Sequence, residues 1–167
     1  MNDHSLWVEK YRPTTIDTYI GNEHLKSKVK IYLDSGDIPH LLLFGKAGTG
    51  KTTLVRAILK AMGWKGAVKS PTFSILEEYY IADKDIFHSD LYRLENQNDF
   101  EMLGVEINEN SKGILFIEWP EKISNFNFGE EFFLKLSLSG QNRSIELQTN
   151  NKKFLNCINR ININNPI

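Results

Sequence analysis

With one cysteine, Cys157, among its 167 residues, the chain cannot form an intramolecular disulfide, which suits a reducing, cytoplasmic setting. Long apolar runs are missing too. The longest, Leu41–Phe44 and Ile114–Ile117, hold four residues, far short of the ~18 that a membrane helix needs. No apolar segment of the secretory kind opens the chain, so no membrane contact is expected. Four scattered histidines and one cysteine leave no zinc-binding pattern. A strong basic excess is also absent, since the net charge is −1. That argues against a dedicated nucleic-acid binder. No internal repeat or clear linker is visible.

What is present is ordinary globular composition, 41% hydrophobic and 25% charged, in a length that suits one domain. The charge is unevenly spread. Residues 1–69 hold 11 Lys+Arg against 6 Asp+Glu, and residues 70–167 hold 9 against 15. Solvated helix faces explain this as readily as a phosphate-facing half.

Periodicity predicts a helix over 22–34, with Leu25, Val29, Ile31 and Tyr32 inward, closed by Ser35-Gly36-Asp37. A buried strand follows at His40–Phe44, then a glycine-rich loop. A helix starts near Lys51, with Leu54, Ala57, Ile58 and Ala61 on its buried face, and Gly63 and Gly66 end it. Residues 72–80 and 85–92 read as strands, Asn96–Leu103 as a short helix and Gly113–Ile117 as a buried strand. The alternating segments Glu131–Ser139 and Arg143–Thr149 flank Gly140-Gln141-Asn142, a hairpin signal. A final helix is expected over 150–161.

The loop Gly45-Lys46-Ala47-Gly48-Thr49-Gly50-Lys51-Thr52 satisfies the pattern G-x-x-x-x-G-K-[ST]. Its glycines let backbone N–H groups approach phosphates, and the following helix start adds a positive dipole end. Lys51 is placed to reach the β- and γ-phosphates and the Thr52 hydroxyl to ligate Mg²⁺. Thr53 completes the phosphate-binding turn. Hydrolysis also needs carboxylates near the metal and the water. Glu118 follows four apolar residues, and Asp90 follows Ile86-Phe87-His88-Ser89. Strand ends of this kind carry ligands in open α/β sheets. Trp119 is placed either to stack near the nucleotide or to fill the core. His88 is read as facing a layer of the sheet, without a catalytic part.

Two families are visible, and they divide at the glycine loop. Residues 5–53 resemble the small ATPase subunit of sliding-clamp loaders, on Leu6-Trp7-Val8-Glu9-Lys10-Tyr11-Arg12-Pro13, Tyr19-Ile20-Gly21-Asn22 and Ile38-Pro39-His40-Leu41-Leu42-Leu43. That resemblance implies an adenine pocket near Val8, Tyr11, Arg12, Pro13 and Ile20. The rest of a clamp loader is missing. No paired acidic motif of the D-E-x-D kind and no Ser-Arg-Cys motif occurs, and the length leaves no room for a lid and collar.

Residues 45–161 resemble the TsaE family, P-loop ATPases of threonylcarbamoyladenosine tRNA modification. The carriers are Gly63-x-x-Gly66, Val68-Lys69-Ser70-Pro71-Thr72-Phe73, Glu77-Glu78-Tyr79, His88-Ser89-Asp90-Leu91-Tyr92-Arg93-Leu94, Glu101-Met102-Leu103-Gly104 and Ile117-Glu118-Trp119-Pro120-Glu121. The resemblance implies a magnesium-site role for Asp90, a Walker B role for Glu118, and Trp119 close to the nucleotide. It makes the Ser70–Thr72 segment switch-like, near the γ-phosphate. Ser89 stands where the family commonly has Phe, and Lys46, Ala47 and Thr49 follow the clamp-loader style.

The expected fold is therefore α/β: a single-domain P-loop NTPase with a mostly parallel central sheet flanked by helices and a C-terminal antiparallel hairpin and helix. Residues 1–53 form a clamp-loader-like segment and 54–167 a TsaE-like body, a chimera in one domain. The function implied is Mg²⁺-dependent ATP binding and slow hydrolysis supporting tRNA modification. TsaB- and TsaD-type proteins are the implied partners, and tRNA is met only through them. Two alternatives stand beside it: a nucleotide-binding module without productive docking, and a clamp-loader fragment that meets a sliding clamp.

Overall fold

The structure, a computed structural model, describes residues 39–103, 113–123, 131–140 and 142–149. The helices expected over 22–34 and 150–161, and the residues Val8, Tyr11, Arg12, Pro13 and Ile20, lie outside the described residues. Six strands form one sheet in the order β2-β3-β4-β1-β5-β6. They are β1 (His40–Phe44), β2 (Leu76–Ile81), β3 (Lys84–Asp90), β4 (Ile114–Glu118), β5 (Glu131–Ser139) and β6 (Asn142–Thr149). The inner pairs β3–β4, β4–β1 and β1–β5 run parallel, and β2–β3 and β5–β6 are antiparallel hairpins at the two edges.

Position in the sheet explains the strand sequences. Both β1 and β4 have neighbours on each side and are covered on both faces. They read as continuous apolar runs, as buried parallel strands do. The edge strand β6 alternates instead, with Ile145 and Leu147 turned to the core and Glu146 and Gln148 exposed.

Helix α1 (Lys51–Ala61) packs on one face of the sheet. Its Leu54, Val55, Ile58 and Leu59 meet Leu41, Leu43, Phe116, Phe132, Leu134 and Leu136 in one buried cluster, and Ala57 is buried as well. Ala61, expected inside, is exposed, and Val55 and Leu59 are buried in its stead. The stripe is rotated because the helix turns its Leu54–Leu59 stretch fully onto the sheet. The opposite face carries a smaller cluster of Leu91, Leu94, Phe100, Leu115 and Ile117. There the short helix α2 (Gln97–Glu101) starts with a capping box between Asn96 and Asp99, in which each side chain accepts from the other residue's N–H.

Several boundaries differ from the expected ones for local reasons. β2 begins at Leu76 rather than 72, because 71–74 form a turn and Ile75 takes a positive φ of 65°. β3 ends at Asp90 because the Asp90 carboxylate accepts a hydrogen bond from the Tyr92 N–H at 3.1 Å and caps a 3-10 turn, Leu91–Arg93. β4 extends one residue further, to Glu118. Among the described residues, no helix is long and apolar enough to cross a membrane.

Leu43 is fully buried, and its register partners are Glu118 on β4 and Leu134 on β5. Leu43→Ala is expected to lower unfolding stability by about 2–5 kcal/mol, as for buried leucines generally. Urea denaturation monitored by circular dichroism measures it.

Candidate phosphate-binding site

The glycine loop begins where β1 ends, and its backbone needs glycine. Gly45 (φ 135°), Gly48 (φ 78°) and Gly50 (φ 98°) all lie in the region that side chains disfavour. At Gly45 a Cβ would also run into the Leu136 carbonyl oxygen of β5. The loop is thus pressed against the sheet, and β5 shapes its base. The Thr49 hydroxyl, buried, donates to the Lys46 carbonyl at 2.9 Å and ties the loop across its mouth.

Gly50 is the N-cap of α1 and offers no side chain to it. The N–H groups of the first helical turn, which have no intrahelical acceptor, are therefore left uncapped by a side chain and face the loop. Lys46, Ala47 and Gly48 are exposed at the rim, and Thr52 and Thr53 are half-buried on the first turn.

Lys51 is only 5% exposed. Its ammonium donates to the Gly45 carbonyl at 2.6 Å and the Lys46 carbonyl at 3.1 Å. It also lies 3.9 Å from the centroid of the Trp119 ring, in cation–π geometry. Burial pushes the Lys51 pKa below its usual 10.5, and the charges of Glu118, Asp90 and Glu121 pull it partly back.

Parallel register brings the carboxylates together. Glu118 pairs with Leu43 on one side and with Asp90 on the other. Both carboxyls are buried, Glu118 at 3% and Asp90 at 4% exposure. Thr52 Oγ1 donates to Glu118 Oε2 at 3.1 Å, linking the helix start to β4. His88 Nε2 meets Glu118 Oε1 at 2.9 Å. Thr72 Oγ1 donates to Asp90 Oδ2 at 2.7 Å, and the Ser70 and Thr72 hydroxyls are bonded to each other at 2.9 Å. The segment is clasped from behind as well. Ile75 N–H donates to the Pro71 carbonyl, and the Ile75 carbonyl accepts from Asp90 N–H at 3.0 Å and from Ser89 Oγ at 2.8 Å.

Trp119 adopts φ 61° and ψ 47°, an unusual conformation for an aromatic residue. Its N–H donates to the Leu43 carbonyl at 3.2 Å, and its ring lies 5.1 Å from that of Tyr92. A cavity of about 910 Å³ opens beside the loop, lined by Phe44, Gly45, Lys46, Thr49, Trp119 and Phe133 among others.

The structure thus brings together the loop residues Gly45–Thr53 with Ser70, Thr72, Asp90, Glu118 and Trp119. His88, expected only to face a layer of the sheet, joins them as a polar neighbour of Glu118. The signal for it was present. His88 and Asp90 are two residues apart on one strand, so they share a face, and that face meets Glu118.

Strand, glycine loop and helix in this order, with neighbouring parallel strands delivering carboxylates to the same edge, define a P-loop protein. Within that class the chain belongs to the TsaE family: the family model described as threonylcarbamoyl adenosine biosynthesis protein TsaE matches residues 18–151. The chain is 37% identical over 129 residues to tRNA threonylcarbamoyladenosine biosynthesis protein TsaE of Haemophilus influenzae, covering 76% of this chain and 75% of that one. It is also 49% identical over 55 residues to the replication factor C small subunit of Natronomonas pharaonis, covering 33% of this chain but only 17% of that protein. The crystal structure of YdiB from Bacillus subtilis superposes with a TM-score of 0.54 at 20% identity, over 80% of this chain and 88% of that one. At that identity the likeness is one of fold.

The lowered Lys51 pKa has a consequence for stability. Below that lowered value Lys51 is protonated in both the folded and the unfolded state, and the fold bears the burial penalty. The penalty is relieved only as pH rises through the lowered value. Lys51→Met is therefore expected to leave the thermal midpoint unchanged or raised at neutral pH, while nucleotide affinity falls at least about tenfold. Differential scanning calorimetry and titration with a fluorescent ATP analogue measure the two effects.

Proposed function

We propose that the chain binds ATP with Mg²⁺ and hydrolyses it slowly, in support of threonylcarbamoyladenosine formation on tRNA. The observation that carries this reading is the clasp of Thr52 and Glu118 across the start of α1 and the end of β4. It places a hydroxyl and a buried carboxylate beside the phosphate loop. The backbone N–H groups of the loop and of the first helical turn cradle the phosphates. Lys51 commits two of its three N–H donors to loop carbonyls among the described residues, and the third is free to meet a phosphate oxygen.

The donor set fits Mg²⁺. Thr52, Asp90 and Glu118 offer hard oxygens, and Mg²⁺ typically takes one or two carboxylates together with waters and substrate phosphates. When bound, the ion neutralises charge on the β- and γ-phosphates. Glu118 orients the attacking water and accepts its proton, with Lys51 neutralising phosphate charge. Ser70 and Thr72 border the γ-phosphate and report its presence to Asp90 through the Thr72 bond. Trp119 closes the site over Lys51. Residues 8–20, with Val8, Tyr11, Arg12, Pro13 and Ile20, cover the base.

Family membership supports the pathway, with TsaB- and TsaD-type proteins as partners, tRNA met through them, and a cytoplasmic location. The replication factor C likeness supports a chimeric origin, with a clamp-loader-like segment over 1–53 joined to a TsaE-like body over 54–167 in one domain.

Glu118→Gln and Asp90→Asn are each expected to lower single-turnover phosphate release at least about 10²-fold, with ATP binding retained in the Glu118 variant. Unchanged release in Glu118→Gln would discard its role. Expression in cells lacking TsaE tests the pathway, and restored tRNA modification is the expected outcome.

A further inference from the structure

The Glu118 carboxylate sits at 3% exposure, and a buried carboxylate needs partners for its oxygens. Oε2 has Thr52, and Oε1 has His88. His88 comes from β3, the strand beside β4, and is fully buried. It lies on the face that continues from Ile86 to Asp90, where an apolar residue would fill the layer between Ile86 and Phe116. A carboxylate only accepts hydrogen bonds, so the contact requires the hydrogen on His88 Nε2. In the neutral imidazole this leaves Nδ1 as a bare acceptor, and Nδ1 is buried without a hydrogen-bond partner among the described residues. An unsatisfied buried nitrogen is an unfavourable feature of a core. Its retention is understandable where the other nitrogen has a task.

We propose that His88 is a positioning residue for Glu118. Its Nε2–H pins Oε1 and so fixes the rotation of the carboxyl, leaving Oε2 aimed at Thr52 and the phosphate loop. This rests on the role given to Glu118 above. Without the imidazole, the carboxyl keeps only its Thr52 bond and pivots about it, and water is no longer presented in one orientation. The effect belongs to turnover. The phosphate cradle, built by the loop and Lys51, does not depend on it. An indirect partner of this kind typically changes activity by about 10–100-fold.

The test uses the full chain and three variants, with Glu118→Gln as the reference. Gln places an N–H donor the same number of bonds from Cβ as His Nε2, whereas Asn is one bond shorter and Leu has no donor. Single-turnover phosphate release gives the rate, a fluorescent ATP analogue gives the affinity, and thermal melts confirm folding. His88→Leu is expected to slow release at least about tenfold, with affinity within about twofold. His88→Gln is expected to recover most of the rate, and His88→Asn is not. If His88→Leu fails to fold, the Gln–Asn pair carries the comparison, since both are polar and differ in reach. A Leu variant with normal release, or Gln and Asn variants equally slow, would overturn the proposal. If Glu118→Gln itself releases phosphate normally, the role of Glu118 fails first, and that result is distinguishable from failure of the His88 assignment alone.

Discussion

The structure turns on a carboxylate kept out of water. Glu118 closes a fully buried strand, yet carries a group that strongly prefers solvent. Such a charge is tolerable only with hydrogen-bond partners close by. Here the partners come from two different elements, Thr52 on the first turn of α1 and His88 on β3. The carboxyl therefore ties the helix start, β4 and its outer neighbour β3 into one unit. The phosphate loop hangs from the same unit, because β1 lies beside β4 and delivers Gly45 against the carbonyl of Leu136.

Around that centre the backbone is held in conformations that side chains resist. Ile75 and Trp119 both have positive φ, near 65° and 61°, each unfavourable by about 1–2 kcal/mol. Neither is free to relax. Ile75 is fixed by hydrogen bonds to Pro71, Asp90 and Ser89, and Trp119 by its bond to Leu43 and its contacts with Lys51 and Tyr92. Such conformations persist where the surroundings over-determine them, and they concentrate at functional segments. In this chain both adjoin the buried carboxylates. Ile75 ends the segment whose Thr72 holds Asp90, and Trp119 directly follows Glu118.

Much of this was legible in the residues. The limits of β1 follow from its apolar run, and the glycine loop and start of α1 follow from one motif. The hairpin of β5 and β6 follows from alternation, and Glu118 and Asp90 stand out as acids at the ends of apolar strands. What escaped depended on context that local patterns do not carry. Residues 72–75 look like strand formers, and nothing in their sequence announces a turn with a β-branched residue at positive φ. Asp90 reads as a strand end, and its capping of Leu91–Arg93 is local, but its bond to Thr72 comes from a tertiary contact. His88 was legible only as one residue of an alternating strand. Its importance required the register that places β3 beside β4. The stripe of α1 was displaced because packing against the sheet, rather than ideal periodicity, chooses which residues are buried.

The most direct measurement is a crystal structure with Mg²⁺ and a non-hydrolysable ATP analogue. The account predicts the phosphates in the glycine loop, with Thr52 and Asp90 at the metal. Glu118 should still be held by His88 and lie within hydrogen-bond reach, about 2.6–3.2 Å, of a water facing the γ-phosphate. A Glu118 carboxyl turned away from that water, with another side chain in its place, would contradict it.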